Sequence, residues 1–252
     1  MNYKTKYKHL VVSGCSYTAN DYHESISWGN MLADIAGMQI HNLAVPSESN
    51  EHISRSVMHY LSANNMSPLD TLVLVMWSGL DRASLIVESD KYTIEKQHPE
   101  YRYNEHSEYF LLGGDNFGPD TDFCNTYRSL VGENTQVLLN WINMQNLYNY
   151  LELNQYTYRF TTLSQILDTD IITNKFKFNK HLKRLNLKLD YSKWILINRM
   201  QTLDEVAHMH NLCYPKSAAG YLAGHPTAEG HYKWTTEYLV QVLLNQGILY
   251  EL

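Results

Sequence analysis

The spacing of apolar residues changes period at a few sharp places, and these divide the chain into alternating strands and helices. Residues 9–18 open with Leu10, Val11 and Val12, a continuous apolar run of the kind that fills a parallel strand covered on both faces. The run stops at Gly14, which permits a sharp turn into a helix. Residues 27–37 then show helical spacing, with Trp28, Met31, Leu32 and Ile35 on one face, Ser27 as cap and Gly37 as stop. Residues 38–44 predict a short second strand, and 48–63 a second helix that turns Ile53, Val57, Tyr60 and Leu61 inward. Thr71–Trp77 is apolar at nearly every position, which predicts a central strand; it ends in a turn at Ser78, Gly79, Leu80, Asp81 and Arg82. Further on, 131–153 predict a long helix through Val137, Leu138, Trp141, Ile142, Met144, Gln145 and Tyr148. Residues 156–161 and 194–197 predict strands, 203–210 a helix, and 227–244 a last helix bearing Tyr232, Trp234, Leu239, Val240 and Leu243.

Two stretches do not fit the alternation. Residues 88–128 are aperiodic and dense in Tyr, Asn, Asp, Glu and Gly, which predicts an insertion lying over a cleft. Residues 166–193 carry Lys175, Lys177, Lys180, Lys183, Arg184 and Lys188 and predict a second, solvated insertion. No repeat or low-complexity linker divides the chain, so one domain spanning 1–252 is expected. Parallel strands joined by right-handed crossovers point one way, so the Gly14 and Ser78 turns share one edge of the sheet, where such folds bind their ligands.

Composition narrows the possibilities. The 252 residues are 44% apolar and carry a net charge of -6 without a basic block, which argues against a nucleic-acid partner. No stretch of 18 apolar residues occurs, and residues 1–8 lack the apolar core of a signal peptide, so cytoplasmic synthesis without membrane association is expected. Cys15, Cys124 and Cys213 are widely spaced and predict free thiols rather than a disulfide framework or zinc site. Twenty tyrosines suit a polar aromatic surface that grips sugars or other proteins.

A serine at the carboxyl edge of a parallel sheet is placed for chemistry, and Ser16 has that position; a serine there also suits a simple helix cap. A serine nucleophile needs a base, almost always histidine, and donors for the oxyanion that forms on attack. Among the twelve histidines, His225 stands out because Pro226 fixes the backbone beside it at a helix entrance. His225, Glu229 and His231 could also be read as metal ligands, although they lack the His-x-x-x-His spacing that sets two imidazoles on one helix face.

These residues resemble the conserved blocks of the SGNH (GDSL-like) hydrolases. Gly14-Cys15-Ser16-Tyr17-Thr18 is similar to the first block, and residues 42–50, Asn-Leu-Ala-Val-Pro-Ser-Glu-Ser-Asn, resemble the second as it appears in bacteriophage-type members. His225-Pro226-Thr227 is similar to the last. The resemblance implies a three-layer α/β/α sandwich with a flavodoxin-like parallel sheet, Ser16 as nucleophile and His225 as base. It also implies an oxyanion hole from the amides of Ser16 and Ser47 together with Ser78. No metal or organic cofactor is required. The chain departs from the pattern where Cys15 replaces an Asp, Ser47 a Gly and Leu80 an Asn, and where Leu222 and Ala223 stand in place of the Asp before the histidine. A thiol nucleophile at Cys15 is one consequence to weigh, and Asn50 or Arg82 could support Ser78. The implied activity is hydrolysis of acyl esters, O-acetyl groups of a surface polysaccharide or a small-molecule ester being suited to a phage-type member. The alternative is a catalytically degenerate domain that binds, or builds a virion with other phage proteins.

Overall fold

The computed structural model describes residues 3–19, 27–80, 82–86, 109–112, 121–163, 190–195, 202–215 and 224–251. In chain order the elements are β1 (Tyr3–Lys4), β2 (His9–Ser13), α1 (Trp28–Ala36), β3 (Gln39–Asn42), α2 (Asn50–Ala63), β4 (Thr71–Trp77), β5 (Ala83–Ile86) and β6 (Tyr109–Leu112). There follow α3 (Thr121–Leu153), β7 (Thr157–Thr162), α4 (Leu203–Met209), α5 (Ala228–Lys233), α6 (Val240–Asn245) and β8 (Tyr250–Glu251). Four strands form a parallel sheet in the order β3-β2-β4-β7. That is the start of a flavodoxin-like order, with the first strand inside and the second at the edge.

The strand sequences explain the layers. Alternate residues of a strand face opposite sides of a sheet. Leu10, Val12, Leu72, Leu74 and Met76 accordingly pack with Trp28 and Leu32 of α1, Val206 of α4 and the last helices. Val11, Val73, Val75 and Trp77 pack on the other side, against Ile53 and Val57 of α2 and Met144 and Leu147 of α3. All seven residues of β4 are buried, as its uninterrupted apolar run predicts. Truncating Leu74 to alanine should therefore cost about 2–5 kcal/mol.

Differences from the predicted elements have local causes. The second helix starts at Asn50 rather than residue 48, because Ser47 is left-handed (φ 62°) and the Ser49 hydroxyl caps the helix by accepting from the His52 N–H at 3.2 Å. Ser27 stands at the start of α1 without capping it, and the helix buries Leu32, Ala33 and Ala36 more deeply than Met31 or Ile35. Gly37 ends it in the left-handed conformation, as expected. The long helix begins ten residues early, at Thr121, inside the stretch read as an insertion; Gly132 (φ 68°, ψ 151°) breaks it near the predicted start, and Ile142 is exposed. Within residues 88–128, β6 pairs antiparallel with β5, a ladder that periodicity did not predict. Trp194 makes a parallel bridge to Phe160, one residue of the strand expected at 194–197; residues 196 and 197 lie outside the described residues, as do most of 166–193. The last helical run passes through a π-helical turn, Trp234–Leu239, where the Thr235 hydroxyl donates to the His231 carbonyl at 2.7 Å. Among the described residues no helix is long and apolar enough to cross a membrane. Cys15 and Cys213 are free, and the Cys124 side chain lies outside the described residues.

Candidate active site

Strand β2 delivers Ser16 through a tight turn. The Cys15 carbonyl accepts from the N–H groups of Thr18 (2.8 Å) and Ala19 (3.1 Å), so the chain folds back with Ser16 at the bend. Gly14 is required by crowding rather than by its dihedral angle: a Cβ there would stand 2.9 Å from the Met76 carbonyl oxygen and closer still to Thr18. Cys15 is fully buried in the core, away from the role of nucleophile.

The second residue arrives from the far end of the chain. The backbone around His225 pairs with residues 212–214: Tyr214 N–H donates to the His225 carbonyl (2.8 Å), Gly224 N–H to Tyr214 (3.0 Å) and Thr227 N–H to Leu212 (2.7 Å). Pro226 forms the bridge partner of Cys213, and the Thr227 hydroxyl caps α5 through Gly230. So held, His225 places Nε2 2.8 Å from Ser16 Oγ, across 209 positions of sequence. The Ser16 hydroxyl thus engages a base instead of capping a helix. When Nε2 accepts that hydrogen bond, the neutral imidazole carries its proton on Nδ1.

Tyr17 is a neighbour that the sequence reading passed over. Its ring lies 4.9 Å from the His225 ring, tilted by 39°, and its hydroxyl donates to Asp204 Oδ1 at 2.8 Å. Burial first, and then the Asp204 carboxylate, push the phenol well above its ordinary range. Burial, with a smaller contribution from Asp204, also raises the Cys213 thiol.

The second block is knitted to the first. Asn42 Nδ2 donates to the Thr18 carbonyl (2.8 Å), Asn42 Oδ1 accepts from Ala44 N–H (3.0 Å), and Val45 N–H donates to the Gly14 carbonyl (3.2 Å). Ser47 adopts φ 62°, a conformation that favours glycine. Among the described residues, neither the Ser16 nor the Ser47 N–H is taken by another acceptor.

The third turn is built differently from the expectation. Asn50 Oδ1 accepts from Ser78 N–H (2.7 Å), while its Nδ2 donates to the Ser78 carbonyl (3.1 Å) and to Asn140 Oδ1 (2.8 Å). Both amide hydrogens are engaged, so Asn50 holds the end of β4 and is not a free oxyanion donor. Arg82 donates to the Ser78 hydroxyl at 2.7 Å, which leaves that hydroxyl its own proton to give. Leu80 is buried and packs into the core beside α3, while its carbonyl accepts from Asn140 at 3.0 Å. Asp81, Leu222 and Ala223 lie outside the described residues.

Behind Ser47 lies a polar cluster that the sequence did not announce. Glu48 and His52 are both buried, with Glu48 Oε2 2.5 Å from His52 Nδ1, and the other Glu48 oxygen accepts from Ser49 N–H (3.0 Å) and the Ser84 hydroxyl (3.2 Å). An i,i+4 Glu-His pair at a helix entrance was its only local signal. Glu229 is exposed on the first turn of α5 while His231 is buried, and among the described residues no group of three or more His, Cys, Asp or Glu could hold a metal ion.

A model described as a family of unknown function (DUF6071) matches residues 15–250. No curated protein matches the sequence. Solved structures similar to the chain include an esterase, EstA, from Pseudoalteromonas, with 10% identity, TM-score 0.47 and coverage of 95% of this chain and 98% of that one. An acetylxylan esterase from Geobacillus stearothermophilus is similar at 10% identity and TM-score 0.43, with 93% and 94% covered. A member of the lipolytic G-D-S-L family from Veillonella parvula is similar at 12% identity and TM-score 0.44, with 94% and 96% covered.

Proposed function

We propose that this chain, which belongs to the family of unknown function DUF6071, hydrolyses acyl esters with Ser16 as nucleophile and His225 as general base. The observation that carries the reading is the 2.8 Å hydrogen bond between Ser16 Oγ and His225 Nε2 at the carboxyl edge of a parallel sheet. In the proposed cycle Ser16 Oγ attacks the ester carbonyl carbon while its proton passes to Nε2. The carbonyl oxygen, now negative, is met by the N–H groups of Ser16 and Ser47, with the Ser78 hydroxyl as a further donor. Collapse expels the alcohol, which takes the proton from His225 and leaves an acyl-serine. Water, deprotonated by the same imidazole, then releases the acid. Ser-His chemistry of this kind draws on no metal or organic cofactor.

The proposed substrates are O-acyl groups on a carbohydrate, and the phage-type form of residues 42–50 connects such an enzyme with a virion. A second reading, a domain that binds esters or partner proteins without turning them over, is favoured by one observation: Leu80 is buried in the core where the resembled family presents a polar donor. The two readings separate on incubation with a short-chain acyl ester and a serine-directed phosphonate. Hydrolysis and a covalent adduct on Ser16, both lost in Ser16→Ala, are expected. Neither turnover nor adduct in the unaltered protein would leave the binding domain.

A further inference from the structure

We infer that Tyr17 and Asp204 act as a relay of position and charge behind His225: the Tyr17 ring holds the imidazole, and the Asp204 carboxylate, fixed at the far end of the phenol, favours its protonated form. The inference rests on the Ser16 and His225 roles proposed above and names the residues that support them. Resembled hydrolases carry an Asp just before the histidine, whereas Leu222 and Ala223 occupy those places here. The structure instead brings a carboxylate in from another element. Asp204 lies in the first turn of α4, whose entrance is locked by a reciprocal pair: Thr202 Oγ1 accepts from Glu205 N–H (3.3 Å), and Glu205 accepts from Thr202 N–H (2.9 Å). From that fixed point Asp204 Oδ1 takes the Tyr17 hydroxyl at 2.8 Å, and the ring it anchors stands 4.9 Å from the imidazole. Tyr17 directly follows Ser16, so nucleophile and ring are set by one turn.

The chemistry is balanced without any further group. As Ser16 attacks, its proton moves to Nε2 and the imidazole becomes a cation beside an aromatic ring, an attraction that strengthens only once the charge exists. Tyr17 keeps its proton throughout, because burial and Asp204 both oppose its ionisation. Among the described residues, the other titratable side chains on the surrounding elements are Cys15 on the same turn, Cys213 and Tyr214 beside the His225 segment, Glu205 and His208 on α4, the latter 3.5 Å from Asp204, and Glu229, His231, Tyr232 and Lys233 on α5. His208 is exposed, so its pull on Asp204 is screened by water.

The test is an NMR titration of the His225 imidazole in the unaltered protein, Tyr17→Phe, Asp204→Asn and Tyr17→Leu, together with pH profiles of ester hydrolysis. Asp204→Asn and Tyr17→Phe should lower the His225 midpoint by about half a pH unit, and Tyr17→Leu by more. kcat should fall about 3- to 10-fold with KM unchanged. Midpoints that coincide with the unaltered protein in Asp204→Asn and Tyr17→Phe overturn the relay. These two variants keep the ring or the carboxylate's shape, so the test stands even if Tyr17→Leu does not fold. Displaced midpoints in a protein that hydrolyses no ester remove the proposed activity and leave the coupling. Turnover with unmoved midpoints does the opposite.

Discussion

Around Ser16 the side chains engage one another, hydroxyl to imidazole and phenol to carboxylate, while the backbone supplies the frame. Around Ser47 and Ser78 the roles are reversed: the side chains of Asn42, Glu48, Asn50, Asn140 and Gln136 hold main-chain groups, the Ser78 N–H among them. The difference shows where the chain tolerates change. On the proposed roles, a position that contributes only its amide accepts a side chain at the cost of a strained dihedral, as Ser47 does at φ 62°, whereas a position that contributes its side chain does not tolerate replacement.

The comparison can be broken most sharply at His225. His225→Ala should cut ester turnover by about 10³-fold or more and leave the urea midpoint nearly unchanged; a loss under tenfold would mean that the serine finds its base elsewhere. Next comes Glu48, whose replacement by Ala removes a buried carboxylate that holds Ser49 N–H, the Ser84 hydroxyl and the His52 ring. A loss of about 3–5 kcal/mol in chemical denaturation is expected, and Glu48→Gln, which keeps the bonds to Ser49 and Ser84, should lose less. Asn50→Ala orphans the Ser78 N–H and carbonyl and should cost about 2–3 kcal/mol, with turnover per folded molecule reduced because the β4 turn loosens. Ser47→Val forces a branched side chain into the left-handed region and should destabilise by about 1–2 kcal/mol, while Ser47→Gly should match or exceed the parent in stability.

The smallest effect is set by pH. His41, bonded to Tyr60 (2.7 Å) and to His9 (3.1 Å), has its pKa lowered by burial and then by the charge of His9. A histidine that resists protonation when folded stabilises the protein above its unfolded pKa, near 6.5, and that contribution fades as the pH drops from there toward the lower folded value. Thermal midpoints between pH 7.5 and pH 5 should therefore decline, and His41→Gln should flatten the decline.

The strands and most helices were legible because burial on both faces of a parallel sheet writes itself as continuous apolar runs, as in Thr71–Trp77. Ser16 and His225 were legible because each sits at a constrained turn beside Gly14 or Pro226. What remained hidden depends on contacts far apart in sequence. Nothing local to Asn50 reveals Ser78, 28 positions away, or Asn140, 90 away. Asp204 lies 187 positions from Tyr17, and its neighbours describe only a well-capped helix. The β5 and β6 pair escaped because its partners are separated by a long polar stretch, and the start of α3 because Gly132 interrupts the helix between residues 121–131 and the apolar run that follows.

Ser16 is made near the beginning of the chain and His225 near its end, with the sheet completed in between. During synthesis Ser16 emerges 209 residues before the imidazole that it bonds. A product terminated before residue 225 keeps the turn and lacks the imidazole. In such a product the Ser16 hydroxyl has no His225 nitrogen to bond.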